Sequence, residues 1–251
     1  MPDPALRKPC LEICVDTAEG LATALAEGAD RIELCSDLGV GGLTPSPGLI
    51  AAAASASVPI YAMIRPRQGD FIYGARDLDV MLGDIAAVRR AGLAGVVLGA
   101  SLPDCSLDAE TLGTLCRAAA GLGTTLHRAF DLAPDRHAAL ETAISLGFER
   151  ILTSGGVSDA EHGCETLRGL TTAARGRIAI MIGGGITPRN IGALLHRTGA
   201  QEAHSSAKAE VAQDPDLVRW GFAAARTFAT DRDTILALRR GMMAGHGGEI
   251  S

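Results

Sequence analysis

Two hydrophobic patterns alternate along this chain. Short runs of β-branched and aliphatic residues, typical of buried strands, occur at 11–15, 31–35, 59–65, 95–100, 124–130, 150–154, 178–182 and 202–206. Between them lie Ala- and Leu-rich stretches whose apolar residues recur with a helical period, most clearly at 18–27, 78–90, 109–121, 135–146 and 187–197. Strands that alternate with helices of this length predict βαβ units and a parallel sheet.

Glycine-containing turns follow several of the predicted helices just before the next strand, as at Gly28, Gly92, Gly147 and Gly199. Such positions are typical of helix C-caps, which need a left-handed residue. An open, doubly wound sheet is the alternative. The repeated units are of even length, however, and no G-x-G-x-x-G follows the first strand. The pattern therefore favours a single α/β domain over 1–251, a (β/α)8 TIM-type barrel.

The C-terminal part of the chain extends beyond the last of these units. Its apolar positions predict two terminal helices within 214–243, which add to the barrel. The glycine-rich end, 245–251, is predicted to be a frayed tail.

Composition and charge narrow the classes of partner. The chain has 23 Lys and Arg against 29 Asp and Glu, and only 3% aromatic residues. This balance argues against nucleic acid or an anionic membrane as a partner. No secretory signal or long apolar run is present in the sequence, so we expect a cytoplasmic protein. Its six cysteines are then expected to be reduced: Cys10, Cys14, Cys35, Cys105, Cys116 and Cys164.

The predicted strands carry polar residues where a barrel lumen ordinarily holds Val, Ile and Leu. Alternate strand residues face the lumen, and this parity gives the candidate catalytic residues Glu12, Glu33, Arg65, His127 and His204. Buried charge is costly unless it is paired. One interpretation is therefore a structural layer in which Arg65 neutralises Glu12 and Glu33. The other is a site for a polar metabolite or divalent metal, able to transfer a proton α to a carbonyl.

Further candidate ligand-binding residues lie at the carboxyl ends of the strands. Gly183, Gly184 and Gly185 follow the seventh strand, where barrels often bind phosphate through backbone N–H groups. A tight turn that needs glycine for its dihedral angles is the alternative. Arg67 and Asp70 form either a clamp for an anionic ligand or an ion pair that fixes their loop. The same ends also carry Asp131, Ser154 and Ser206.

Two cysteines, Cys14 and Cys35, lie near the ends of neighbouring predicted strands. Neighbouring strands are about 4.8 Å apart, so two facing sulfurs could bind one soft ion, and thiolates favour Cu(I). Free cysteine also packs often as a small hydrophobic side chain. Both interpretations stay open.

Several longer motifs resemble the CutC copper homeostasis protein family. They lie between about residue 11 and about residue 208, and they are EICVD (12–16), RIELCS (31–36), GGLTPS (41–46), MIRPR (63–67) with GDF (69–71), HRAFD (127–131), LTSG (152–155), GGGI (183–186) and HSSA (204–207).

The resemblance implies a cytoplasmic barrel that self-associates as a homodimer or higher homo-oligomer and acts in copper homeostasis. It implies Cu(I) bound by the thiolates of Cys14 and Cys35. The best-matching motifs, however, centre on Glu, Arg, His and Gly, which a two-thiolate copper site does not need. The alternative is a TIM-barrel enzyme of isomerase, lyase or hydrolase type that acts on a small anionic or phosphorylated metabolite.

Overall fold

The computed structural model describes residues 8–246, and its centre is a closed barrel of eight parallel strands in sequence order. The strands are β1 (Cys10–Val15), β2 (Arg31–Leu34), β3 (Ile60–Met63), β4 (Gly95–Leu98), β5 (Gly123–Leu126), β6 (Arg150–Thr153), β7 (Ala179–Ile182) and β8 (Glu202–Ser205). β1 pairs with both β2 and β8, which closes the ring. The predicted TIM-type barrel is confirmed.

Helices follow the strands around the outside of the barrel. They are α1 (Ala18–Ala26), α2 (Pro47–Ala53), α3 (Ala75–Ala91), α4 (Ala109–Ala118), α5 (Arg136–Ser145), α6 (Cys164–Ala174) and α7 (Ile191–Thr198). The side chains of Thr17, Asp108 and Asp135 begin α1, α4 and α5 by accepting backbone N–H groups. Gly92 and Gly199 end α3 and α7 with φ of 74° and 71°, as their sequence positions predict.

The main core lies between the strands and the surrounding helices. Outward-facing strand residues such as Leu11, Ile13 and Val15 are fully buried, and they pack in one cluster with Leu21 and Ala24 of α1. Because strand side chains alternate between two faces, the residues between these apolar positions point into the lumen.

Several predicted boundaries differ from the structure, and at two of them a side chain competes for backbone N–H groups. β5 ends at Leu126, not at residue 130, because His127 Nδ1 accepts a hydrogen bond from Ala129 N (3.1 Å) and begins a 3-10 turn. α7 begins at residue 191, not 187, because Asn190 Oδ1 accepts a hydrogen bond from Thr187 N (2.8 Å) and closes a turn before the helix.

Both predicted terminal helices are present, although the first is short, and the two strands that accompany them were not predicted. After β8 the chain forms an antiparallel ribbon of β9 (Lys208–Val211) and β10 (Thr227–Thr230), joined through the short α8 (Pro215–Arg219), before α9 (Arg232–His246). The ribbon is largely exposed on both faces, so it lacks the apolar alternation that predicts a strand.

α9 packs along α7 and buries Ile235 and Leu238. Of the predicted frayed tail, 245–246 belong to α9, and 247–251 lie outside the described residues. Within residues 8–246, no helix is both long and apolar enough to cross a membrane.

The Tyr61 ring lies across the amino end of the lumen, where β4 and β5 contribute glycines. A Cβ at Gly95 or Gly123 would overlap this ring. The Tyr61 hydroxyl donates a hydrogen bond to Glu149 Oε2 (2.8 Å), and the Arg150 guanidinium lies 4.7 Å from the ring centroid. The two glycines therefore make room for a polar floor beneath the candidate site.

Substituting Gly123→Ala is expected to lower the free energy of unfolding by about 1–3 kcal/mol, because the new methyl group overlaps the Tyr61 hydroxyl. Gly83→Ala in α3 is the matched control, since a Cβ there meets nothing within 4 Å. That change should stabilise the protein by about 0.5–1 kcal/mol. Chemical denaturation measures both. Equal effects of the two substitutions would contradict the close packing at Tyr61.

Candidate functional site

A network of buried ion pairs crosses the lower part of the lumen. Arg31 on β2 donates through Nε to Glu12 on β1, and through Nη2 to Glu202 on β8 (2.5 Å). Arg150 on β6 donates to the same Glu202 carboxylate (3.1 Å). Arg31 and Arg150 are at most 10% exposed at their side chains. These pairs connect β1, β2, β6 and β8 across the lumen.

The expectation that Arg65 neutralises Glu12 and Glu33 was wrong. Its two Nη atoms instead donate to the backbone carbonyls of Val40, Gly42 and Gly69 (2.8, 3.1 and 3.0 Å). Arg31 is the cation that pairs with Glu12, because the two residues lie directly opposite each other in the β1–β2 register. Sequence reasoning missed Arg31, Arg150 and Glu202, although the parity rule would have found them if applied to the amino ends of the strands.

His204 connects the two predicted carboxylates above this network. Its Nδ1 lies 2.8 Å from Glu12 Oε1, and its Nε2 lies 3.8 Å from Glu33 Oε2. Strand register explains the contacts, since Glu12 lies opposite His204 and Glu33 lies opposite Cys14. Four of the predicted site residues are therefore brought together.

The charged forms of Glu12 and His204 are favoured although both residues are buried. Burial alone would raise the pKa of Glu12, but Arg31 and His204 outweigh it and lower this pKa to about 2. Burial alone would lower the pKa of His204, but Cys14, Glu33 and Glu12 outweigh it and hold this pKa well above the usual histidine value. The result is an imidazolium beside a carboxylate.

The pKa values of Glu33 and of the two thiols are shifted in the direction opposite to that of Glu12. Burial raises the pKa of Glu33, and His204 offsets only part of this effect. Burial likewise raises the pKa of Cys14 and, together with the neighbouring Glu33, that of Cys35. The Cys35 thiol donates to Glu33 Oε2 (3.5 Å), and Glu33 Oε1 has no hydrogen-bond partner among residues 8–246.

Three of these side chains form a candidate metal-ligand set. One ligand atom each from Cys14, Glu33 and His204 lies within 4.8 Å of the other two. Tetrahedral zinc bonds of about 2.0–2.3 Å place ligand atoms roughly 3.5 Å apart, so a bound ion would draw the three side chains slightly inward. Cys35, predicted as the second thiolate, lies beside Glu33 and outside this set. Its role as a metal ligand stays a prediction.

His127 lies apart from this cluster, near the Phe71 loop. Its ring is 4.8 Å from the Phe71 ring, and Phe71 lies 4.9 Å from the Arg65 guanidinium. Burial and the Arg65 charge lower the pKa of His127 to about 3. Its imidazole is therefore neutral at pH 7, in contrast to that of His204.

The predicted ligand-binding residues after β5 and β6 are hydrogen-bonded to one another. The Asp131 carboxylate accepts the Thr153 hydroxyl (2.5 Å), the Ser154 hydroxyl (3.0 Å) and Gly156 N (2.9 Å). It also pairs with Arg128 (2.7 Å), a residue that sequence analysis missed. In this arrangement Asp131 and Ser154 fix the loop after β6. Their contact with a ligand stays a prediction.

The remaining candidates lie in loops around the barrel mouth. Gly184 and Gly185 have φ of 88° and 70°, which confirms that this turn needs glycine. Arg67 donates to Asp70 (2.9 Å) and to Asp77 (3.2 Å), so the pair fixes its loop as one of the two interpretations predicted. Ser206, half-buried after β8, lies near the same end of the barrel.

The closed parallel barrel with a polar, partly charged lumen places this chain among the TIM-type barrel proteins. The CutC family model matches residues 10–209. A family protein CutC of Rhizobium meliloti (strain 1021) is 59% identical over 91% of this chain and 94% of the relative. One from Caulobacter vibrioides (strain NA1000 / CB15N) is 58% identical over 78% and 80% of the two chains.

The crystal structure of a CutC protein from Streptococcus agalactiae has a TM-score of 0.76 and 32% sequence identity, and covers 79% of this chain and 98% of its own. The chain belongs to the CutC family.

Substituting Glu12→Gln is expected to lower the free energy of unfolding by about 3 kcal/mol, because Arg31 and His204 stay buried without their charge partner. Glu165→Gln removes an exposed pair with Arg168 and is the control, with an expected change below about 1 kcal/mol. Urea denaturation at pH 7 measures both. If Glu12→Gln cost no more than the control, the buried network would not be stabilising the barrel.

Proposed function

We propose that this chain acts in copper homeostasis by binding Cu(I) at Cys14 and Cys35, beside His204 and Glu33. The observation that carries the proposal is the grouping of a Cys14, a His204 and a Glu33 ligand atom within 4.8 Å. The Streptococcus agalactiae neighbour is named as a copper homeostasis protein. Sulfur and imidazole ligands are those that copper ions favour.

The orientation of His204 supports this proposal. Glu12 accepts a hydrogen bond from the Nδ1–H group of His204, so Nε2 is the ring atom left to face Glu33. A metal-ligating histidine commonly donates a hydrogen bond from its other ring N–H group to a carboxylate, which fixes the ring and raises its basicity as a ligand. Arg31 in turn holds the Glu12 carboxylate.

Copper binding at these thiols must release protons. Burial raises the pKa of Cys14 and of Cys35, whereas the metal binds the deprotonated thiolate. Affinity should therefore fall as the pH falls. Cys35 must also exchange its hydrogen bond with Glu33 for the metal.

An anaerobic Cu(I) titration against a competing chelator tests the proposal. The double variant Cys14→Ser/Cys35→Ser should bind Cu(I) at least about 100-fold more weakly than the wild type. The control is Cys105→Ser/Cys116→Ser, which removes two thiols outside the candidate set and should leave the affinity unchanged. Undiminished binding in the Cys14/Cys35 variant would overturn the proposal.

A second candidate function is an enzyme that acts on a small anionic or phosphorylated metabolite. The observation that favours it is Glu33, which is 3% exposed and whose Oε1 has no partner within residues 8–246. A buried polar atom of this kind costs free energy unless a ligand satisfies it. Glu33 and His204 would hold the protons, and the Gly183–Gly185 turn would bind the anion.

Inorganic phosphate is the probe for the anion part of this candidate. A titration followed by amide NMR should shift the Gly184 and Gly185 signals saturably, because a bound anion accepts their N–H groups. The amide of Gly83 in α3 should not move, and chloride at matched ionic strength is the second control. Uniform small shifts with both salts would remove the phosphorylated class of substrate.

We also propose a cytoplasmic homo-oligomer, as the family resemblance implies. All six cysteines are free in the structure, which agrees with a reducing compartment.

A further inference from the structure

Three buried polar atoms near the carboxyl ends of β3, β4 and β5 have unused hydrogen-bonding capacity. They are Arg65 Nε, Ser101 Oγ and His127 Nε2, none of which has a partner among residues 8–246. All three residues are at most 5% exposed. Buried polar groups are nearly always hydrogen-bonded, so three unpartnered polar atoms at the ends of neighbouring strands favour a ligand site there.

Each of the three atoms is able to donate a hydrogen bond. His127 Nδ1 accepts the N–H of Ala129 (3.1 Å), so the ring proton is on Nε2. Arg65 Nε carries a proton and cannot accept, and the Ser101 hydroxyl rotates to suit its partner. A ligand that pairs with these atoms must therefore offer hydrogen-bond acceptors, such as carboxylate or carbonyl oxygens.

The donors are fixed by their surroundings before any ligand binds. Three backbone carbonyls hold the other nitrogens of Arg65. His127 lies against strand β4 so closely that a Cβ at Gly99 would overlap its ring. Ser101 is held through its backbone N–H, which donates to Phe71 O (2.9 Å). Fixed donors bind without losing much side-chain entropy.

The Phe71 ring, which is partly buried, packs beside two of these donor residues. Its ring lies 4.9 Å from the Arg65 guanidinium and 4.8 Å from the His127 ring. Low polarity around a donor strengthens its hydrogen bond to an acceptor oxygen. Arg67, paired with Asp70, also donates to Ile72 O (2.7 Å) and so holds the Phe71 loop in place.

We propose that Arg65, Ser101 and His127 form a donor pocket that binds a carboxylate or carbonyl oxygen of a small organic acid beneath the Phe71 loop. This inference rests on the enzyme candidate and names its substrate class. It places the recognised oxygen on the β3–β5 side of the mouth, away from the cysteine cluster on β1 and β2.

Acetate is the first probe, because it offers carboxylate oxygens and little else. Titration followed by NMR of the histidine ring nitrogens should shift His127 Nε2 saturably and leave the exposed His162 unmoved. Phosphate at the same ionic strength distinguishes a carboxylate site from a general anion site. Equal binding of both ions would overturn the assignment to organic acids.

The matched variants are Ser101→Ala and His162→Asn. Ser101→Ala removes one donor with little change in volume and should weaken acetate binding about tenfold. His162→Asn should not change it. If Ser101→Ala proves unstable, His127→Gln replaces the ring with a side chain that keeps one donor and should also weaken binding. Absence of a saturable shift in the wild type, or unchanged binding in Ser101→Ala, would overturn the proposal.

The binding measurement needs no turnover, so it separates this proposal from the enzyme candidate. Acetate binding at His127 without any reaction of organic acids would leave the pocket standing and count against catalysis. Turnover of an organic acid without acetate binding would support the enzyme candidate and count against the donor pocket.

Discussion

The structure depends on one buried charge chain, in which Arg31 holds Glu12 and Glu12 holds His204. Its three members come from β2, β1 and β8, which are the strands that meet where the barrel closes. Glu12 is fully buried, so its removal would leave two buried cations without this charge partner. Cys14, Glu33 and Glu12 together hold the pKa of His204 well above its usual value, and the contact of Nδ1 with Glu12 leaves Nε2 facing Glu33. The positive charge of His204 acts on Glu33 and Cys14 at the carboxyl end of the barrel, where it offsets part of the effect of burial on their pKa values.

The two ends of the lumen differ in how far their polar groups are satisfied. At the amino end, Arg150, Glu202 and Tyr61 all have partners. At the carboxyl end, Glu33 Oε1 and His127 Nε2 lack partners within residues 8–246. Barrel enzymes use the carboxyl ends of their strands for function and the amino ends for stability. Among these lumen residues, the unpaired atoms lie at the carboxyl end.

Hydrophobic periodicity predicted the barrel well, because each strand is short, buried and bounded by a helix. Strand parity also placed Glu12, Glu33 and His204 in the lumen, as the contacts among them confirm. It could not predict which cation pairs with Glu12, because parity gives the face of a side chain and not its height along the barrel axis. The β9–β10 ribbon was missed for a different reason, since its exposed strands bury no apolar face.

The two candidate functions make opposite demands on His204. A metal ligand must offer a neutral Nε2, whereas Cys14, Glu33 and Glu12 favour the protonated ring. Copper binding therefore requires the cluster to lose the imidazolium proton together with the thiol protons, and the metal charge must replace that of His204. Acid–base catalysis would instead use the protonated ring, whose Nδ1 contacts Glu12 and whose Nε2 faces Glu33. The same carboxylate that orients the ring for a metal thus also stabilises the charged form that opposes the metal, so the two candidate functions require different protonation states of His204.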